Sequence, residues 1–181
     1  MNSEKFTTNQ PSLIIVMGVS GSGKSHIASK LAASLNFDFI EADDFHSDKS
    51  KKNMSANIPL KESVRQFWVE IICHHLKSRS NNIVLAFSGL KLKHRNMLRK
   101  LQSNSQFIWL DGNPNVIRER LTKRRNHFVS AEFLSGQLLA MESPDESEKD
   151  IIKIDIANDL EDVLTQCLAA FQPKSQQCSL T

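Results

Sequence analysis

The chain has 181 residues, enough for one α/β domain and too few for two of ordinary size. Hydrophobic residues make up 40% and charged residues 24%, a globular balance that excludes a disordered or fibrous chain. Lys and Arg number 23 against 20 Asp and Glu, a net charge of +3; this is too slight to point to nucleic acid and suits a few cations meeting a small anion. The cysteines Cys73, Cys167 and Cys178 share no C-x-x-C spacing, so neither a disulfide framework nor zinc is expected. No apolar run approaches the roughly 20 residues of a membrane helix. Residues 1–11 are polar and the apolar run at 13–16 is too short for a secretory signal. The expectation is a reduced, cytoplasmic domain with no membrane or nucleic-acid partner.

In chain order, residues 13–17 are apolar throughout, as a strand buried on both sheet faces must be. Ala28, Leu31, Ala32 and Leu35 then recur on one helical face. Residues 37–40 read as a second strand, and the polar stretch 43–57 as a long loop that could carry substrate contacts. Val64, Phe67, Trp68, Ile71, Ile72 and Leu76 mark the apolar stripe of the next helix, in which Cys73 reads as a core thiol. Residues 83–87 are a third strand, 91–102 a basic helix and 107–110 a fourth strand, with Trp68 and Trp109 read as core. Asn113 and Pro114 open a helix as N-cap and first residue. Residues 151–156 form the last strand, and Asn158 with Glu161 a capping pair for a final helix. Strand and helix alternate as in a parallel sheet covered on both faces, one domain over 12–172 with flexible termini at 1–11 and 173–181.

Gly18-Val19-Ser20-Gly21-Ser22-Gly23-Lys24-Ser25 matches G-x-x-x-x-G-K-[ST] in full. Glycines let the backbone turn its N–H groups around a phosphate, Lys24 reaches the β- and γ-phosphates, and the Ser25 hydroxyl is offered to Mg²⁺. The loop follows an apolar strand and opens an amphipathic helix, the context the motif requires. ATP and Mg²⁺ are therefore the expected cofactors, and the fold a P-loop NTPase-type three-layer α/β domain.

Other residues fit around that loop. Arg118, Arg120, Lys123, Arg124 and Arg125 form the densest basic cluster, either a solvated face or a lid over about 120–136 whose Arg120 and Arg124 reach the transferring phosphoryl group. Asp43 follows the second strand, on the sheet edge where ligands collect, and could take a proton from an attacking hydroxyl; Asp44 is adjacent and equally placed by position. His46 reads either as a partner for a polyol or carboxylate or as an ordinary loop histidine. No Asp ends the third strand, which leaves Mg²⁺ to Ser25, the phosphates and water, with Asp43 in support.

Together these motifs resemble the gluconokinases, small P-loop kinases related to shikimate kinase. The resemblance runs from the phosphate loop through Asp43-Asp44-Phe45-His46, Met54, Pro59-Leu60, Arg65 and Trp68. It continues with Ser88-Gly89-Leu90-Lys91, Arg95, Leu98-Arg99, His127-Phe128, Leu134, Gln137, Glu142, Pro144 and Asp155-Ile156. It implies a five-stranded parallel sheet with a closing lid, a dimer in many members, and phosphorylation of D-gluconate by ATP to 6-phosphogluconate. By carry-over Asp43 is the base, His46, Arg65, Lys91, Arg95, His127 and Gln137 line the sugar-acid pocket, and Arg120 and Arg124 act on ATP. Departures from the family pattern gather on the acceptor side: Ser47, Ser50, Asn53 and Asn57, then Val64 for an aspartate, Gly89, His94, Asn96 and Asn126. They leave open a kinase of another small polyol acid, or a nucleotide-binding regulatory protein that has lost turnover. The substitution Asp43→Asn separates these: a kinase keeps ATP binding and loses turnover, measured as ADP release, whereas a pure binder changes in neither.

Overall fold

The computed structural model describes residues 12–101, 104–123 and 131–171; the termini expected to be flexible and the centre of the expected lid lie outside them. Five parallel strands, β1 (Leu13–Met17), β2 (Asp38–Glu41), β3 (Ile83–Phe87), β4 (Ser105–Asp111) and β5 (Ile151–Asp155), form one sheet in the order β2-β3-β1-β4-β5. Seven α-helices join them among the described residues: α1 (Lys24–Leu35), α2 (Asp48–Ser55), α3 (Glu62–Lys77), α4 (Leu92–Arg99), α5 (Pro114–Lys123), α6 (Ala131–Ala140) and α7 (Leu160–Ala169).

The three layers follow from strand alternation. Ile14, Val16, Val84, Ala86, Ile108 and Leu110 face one core with Ile27 and Leu31 of α1 and Val163 and Cys167 of α7. Leu13, Ile15, Met17, Leu85, Phe87 and Phe107 face the other, with Trp68, Val69, Ile72 and Leu76 of α3 and Leu98 of α4. Each fully buried Leu, Ile or Phe contributes about 1.5–3 kcal/mol, so central β1, buried at every residue, anchors both cores.

Several elements differ from the sequence reading. The stretch 43–57 is not a loop: a 3₁₀ turn (Ala42–Phe45) is followed by α2, whose polar sequence hides it from a search for apolar periodicity. Ser47 caps α2, its Oγ accepting from the Ser50 N–H at 3.2 Å. The last helix is capped by Asp159, whose Oδ1 accepts from the N–H groups of Glu161 and Asp162, rather than by Asn158. On α3 the stripe is rotated: Val69 is buried, while Val64, Phe67 and Ile71 are exposed; Cys73 is buried, as expected. Trp109 is half-buried, with the Lys153 ammonium 4.9 Å from its ring centre. Asn113 does cap α5, its Oδ1 accepting from the Asn115 N–H at 2.9 Å.

The segment between α6 and β5 is fastened to α4 by charge. Arg95 is fully buried; its Nε and Nη2 donate to Glu148 at 2.7 and 2.6 Å, and its Nη1 to the Gly89 carbonyl at 2.8 Å. Arg99 donates to Glu148 and to Asp150. Burial alone would raise the Glu148 carboxyl, but the hydrogen bonds from Arg95 and Arg99 outweigh it and hold the group below its ordinary 4.5. Glu148→Ala strands a buried guanidinium and should cost about 3 kcal/mol at pH 7, read from urea midpoints. Because the folded-state value is depressed, this contribution is complete above the ordinary 4.5 and is lost as pH falls through the folded value, so wild type and variant converge only in acid.

Candidate active site

The phosphate loop leaves the C-terminal end of β1, the central strand. Gly23 ends it with φ 94°, a left-handed conformation that a side chain adopts only under strain. It is the N-cap of α1 and supplies no side-chain cap, so the first-turn N–H groups and the positive helix end are left to an anion. Gly21 is at φ 86°, and a Cβ there would come within 2.6 Å of Leu121 Cγ; the loop is thus pressed against α5. Lys24 is buried beside this opening.

A cavity of about 470 Å³ extends from the loop. Ser20, Gly21, Gly23, Lys24 and Ser25 line one end, and Asp43, His46, Lys51, Arg65, Lys91 and His94 are among the residues lining the rest. Asp43 is separated here from Asp44: Asp43 lies in the cavity wall, whereas Asp44 lies outside it and its carbonyl accepts from Lys51 Nζ at 3.4 Å. His46 stacks on Trp68, ring centres 4.3 Å apart, with Nε2 3.9 Å from Asp43 Oδ1 and a buried Nδ1 lacking a partner. Burial lowers the pKa of the His46 ring; Asp43 opposes the shift and Lys51 adds to it. Trp68 Nε1 donates to the Ala42 carbonyl at 2.9 Å, tying α3 to the turn that carries Asp43.

Gln137, on α6, reaches the nucleotide end: its Oε1 accepts from the Ser20 N–H at 2.6 Å. Lys91 pairs with Glu142 at 3.0 Å, and the second carboxylate oxygen of Glu142 accepts from the Leu92 N–H at 2.7 Å, which caps α4. Arg65 lies in the wall. Val64, whose replacement of an acidic residue matters on sequence grounds, is outside the cavity and 38% exposed. The carboxylate near Arg65 is instead Glu62, one turn earlier on α3, which pairs with Lys93 at 2.7 Å and lies 3.2 Å from His94 Nε2.

Two expected contributors are placed elsewhere. Arg95 is committed to Glu148 and Gly89, outside the wall, so it does not present a free cation to the cavity. Arg120 Nη2 donates to the carbonyls of Ile156 and Asn158 at 2.7 Å each, and its buried Nη1 has no partner; it stands at the β5–α7 junction. Arg124 and His127 lie outside the described residues.

Glu41, the last residue of β2, is the group that sequence reasoning missed. Its Oε1 is buried without a hydrogen bond. Burial foremost raises its carboxyl above the ordinary value, and the Asp43 charge adds to this; the Ser25 hydroxyl and Lys24 offset it in part. Its only sequence signal is an acidic residue at a strand's C-terminal end, two before Asp43. The Ser25 hydroxyl and this carboxylate are hard oxygen donors suited to Mg²⁺. Among the described residues no three His, Cys, Asp or Glu side chains cluster as a metal cage.

Asn57, at φ 58° in the segment that closes the far end of the cavity, takes a left-handed conformation open to Gly and Asn. Asn57→Gly should leave thermal unfolding unchanged, whereas Asn57→Val should cost about 1–2 kcal/mol and lower the melting temperature.

Comparison with known proteins places this geometry. A family model described as shikimate kinase matches residues 20–169. The chain is 40% identical over 159 residues to the thermosensitive gluconokinase of Escherichia coli K12, covering 86% of this chain and 85% of that protein. It is 34% identical to a probable gluconokinase of Dictyostelium discoideum, over 92% and 89% of the two chains. Among solved structures, a gluconokinase from Sinorhizobium meliloti 1021 superposes with a TM-score of 0.81 at 34% identity, covering 91% of this chain and 93% of that one. A shikimate kinase from Acinetobacter baumannii, 14% identical with a TM-score of 0.60, shares the fold.

Proposed function

The chain belongs to the gluconokinases of the shikimate kinase family, and from that premise we propose how its residues divide the work of phosphorylating D-gluconate with ATP. It is a kinase that transfers a phosphoryl group to an alcohol. The observation that carries the assignment of roles is one continuous cavity, with the uncapped α1 N-terminus and Lys24 at one end and Asp43 with Arg65 and Lys91 beyond.

ATP phosphates lie on the loop N–H groups, with Lys24 neutralising charge as the γ-phosphoryl group separates. Ser25 and Glu41 would hold Mg²⁺, which when bound would neutralise further phosphate charge. The sugar acid enters with its carboxylate toward Arg65 and Lys91 and a primary hydroxyl toward the loop. Asp43 accepts the hydroxyl proton as its oxygen bonds to the γ-phosphorus, the bond from that phosphorus to the bridging oxygen breaks, and ADP leaves with the electron pair. Alignment in the cavity and electrostatic stabilisation supply most of the rate.

His46 and Gln137 belong to the same reading, His46 beside Asp43 and Gln137 holding the loop from above. Arg120, Arg124 and His127 are assigned to the closed lid, and Arg95 supports Lys91 through α4 rather than touching the acceptor. Lys24 and Asp43 facing one cavity favour catalysis over a purely regulatory binder. A homodimer and residence in the cytoplasm extend the proposal from the family resemblance. Among the described residues no helix is long and apolar enough to cross a membrane.

The test is ADP release from ATP and Mg²⁺ by purified protein with and without D-gluconate, with Lys24→Ala as the blank. Gluconate-dependent turnover that is absent from the blank is the expected outcome. ATP binding without stimulation by gluconate would sink this acceptor and direct the search to other polyol acids.

A further inference from the structure

Beyond Asp43 the wall of the cavity contains a polar ring to which the transfer assigns no task. His94, in the first turn of α4, is 4% exposed and lines the cavity. Its Nε2 is buried and lies 3.2 Å from Glu62 Oε1 without the alignment of a hydrogen bond. A nearly buried ring nitrogen without a hydrogen bond is a standing cost that an entering ligand can relieve. Its surroundings are charged: Glu62 and Arg65 from α3, and Lys93 from its own helix.

The chemistry of the ring selects the part of the ligand it meets. Burial, the largest influence, lowers its pKa; Glu62 pulls the other way, and Lys93 and Arg65 push with burial. A neutral imidazole offers one donor and one acceptor, the complement of an alcohol, which also does both. A carboxylate only accepts, and it has Arg65 and Lys91 in the same wall.

Resting on the gluconokinase reading, we propose that His94 is an acceptor-binding residue that reads one hydroxyl of the polyol chain and so helps set which sugar acid this enzyme accepts. The division of labour is then explicit: cations hold the acid group, Asp43 takes the proton of the reacting alcohol, and His94 checks an alcohol that does not react.

Steady-state kinetics with ATP, D-gluconate and a set of gluconates each lacking one hydroxyl test this. Wild type should show a raised KM for one deoxy analogue. His94→Phe should raise the KM for gluconate roughly tenfold, leave the KM for ATP unchanged, and erase the penalty for that analogue. His94→Gln, which retains a donor and an acceptor, should recover part of the affinity and of the deoxy penalty, and His94→Ala gives the readout of the phenylalanine variant if that one does not fold. An unchanged gluconate KM in folded His94→Phe or His94→Ala, or a deoxy penalty as large in those variants as in wild type, overturns the inference while wild type remains active on gluconate. A wild type inert toward gluconate overturns the functional reading and this inference together.

Discussion

The arrangement of the site depends on a helix that begins without a cap from its own chain. Gly23 brings the backbone into α1 in a left-handed turn, no side chain accepts from the first N–H groups, and a buried lysine follows at once. Left alone, the end of the helix and the ammonium repel each other and are short of hydrogen-bond partners; a chain of phosphates answers both needs. The loop can be held in this state because β1 beneath it is buried at all five residues and hydrogen-bonded on each side, to β3 and to β4. The same parallel sheet brings the ends of β2 and β3 alongside, so that Asp43 and Lys91 meet the cavity from neighbouring strands.

How much of this could be read in advance depended on whether the signal was local. Strands β1 and β3 are apolar on both faces and were legible at sight, as was the phosphate loop, whose chemistry is written in eight consecutive residues. Helix α2 was not, because it is stabilised by its Ser47 cap and by position, with only Ser50 buried. Arg95 looked like a cation for substrate because its partner, Glu148, is 53 residues away; only the folded chain shows that its charge is already spent. Glu41 was overlooked for the opposite reason. Its neighbours in space, Ser25 and Lys24, belong to a motif that seemed complete without it.

The unusual residues of the acceptor segment become intelligible once their backbone is seen. Ser47 and Ser50 form a cap, with Oγ atoms 3.0 Å apart and an N–H bound at 3.2 Å, so the turn into α2 is secured without a proline. Asn57 takes the left-handed conformation that a glycine would take more freely. Val64 is exposed, and Glu62, two residues earlier, supplies negative charge near Arg65. These exchanges preserve the path of the chain, and of Ser47, Ser50, Asn57 and Val64 only Asn57 lines the cavity.

The ion pairs around Glu148 carry an evolutionary consequence. Arg95, Arg99, Glu148 and Asp150 share five hydrogen bonds between α4 and the approach to β5, and Arg95 adds one to the Gly89 carbonyl. Glu148 cannot be exchanged for a neutral residue alone without leaving the buried Arg95 guanidinium without its ion-pair partner. Lineages descending from this sequence can therefore vary the cavity wall one residue at a time, but can leave this patch only by coordinated replacements. The frame behind the acceptor pocket is thereby made to age more slowly than the pocket itself.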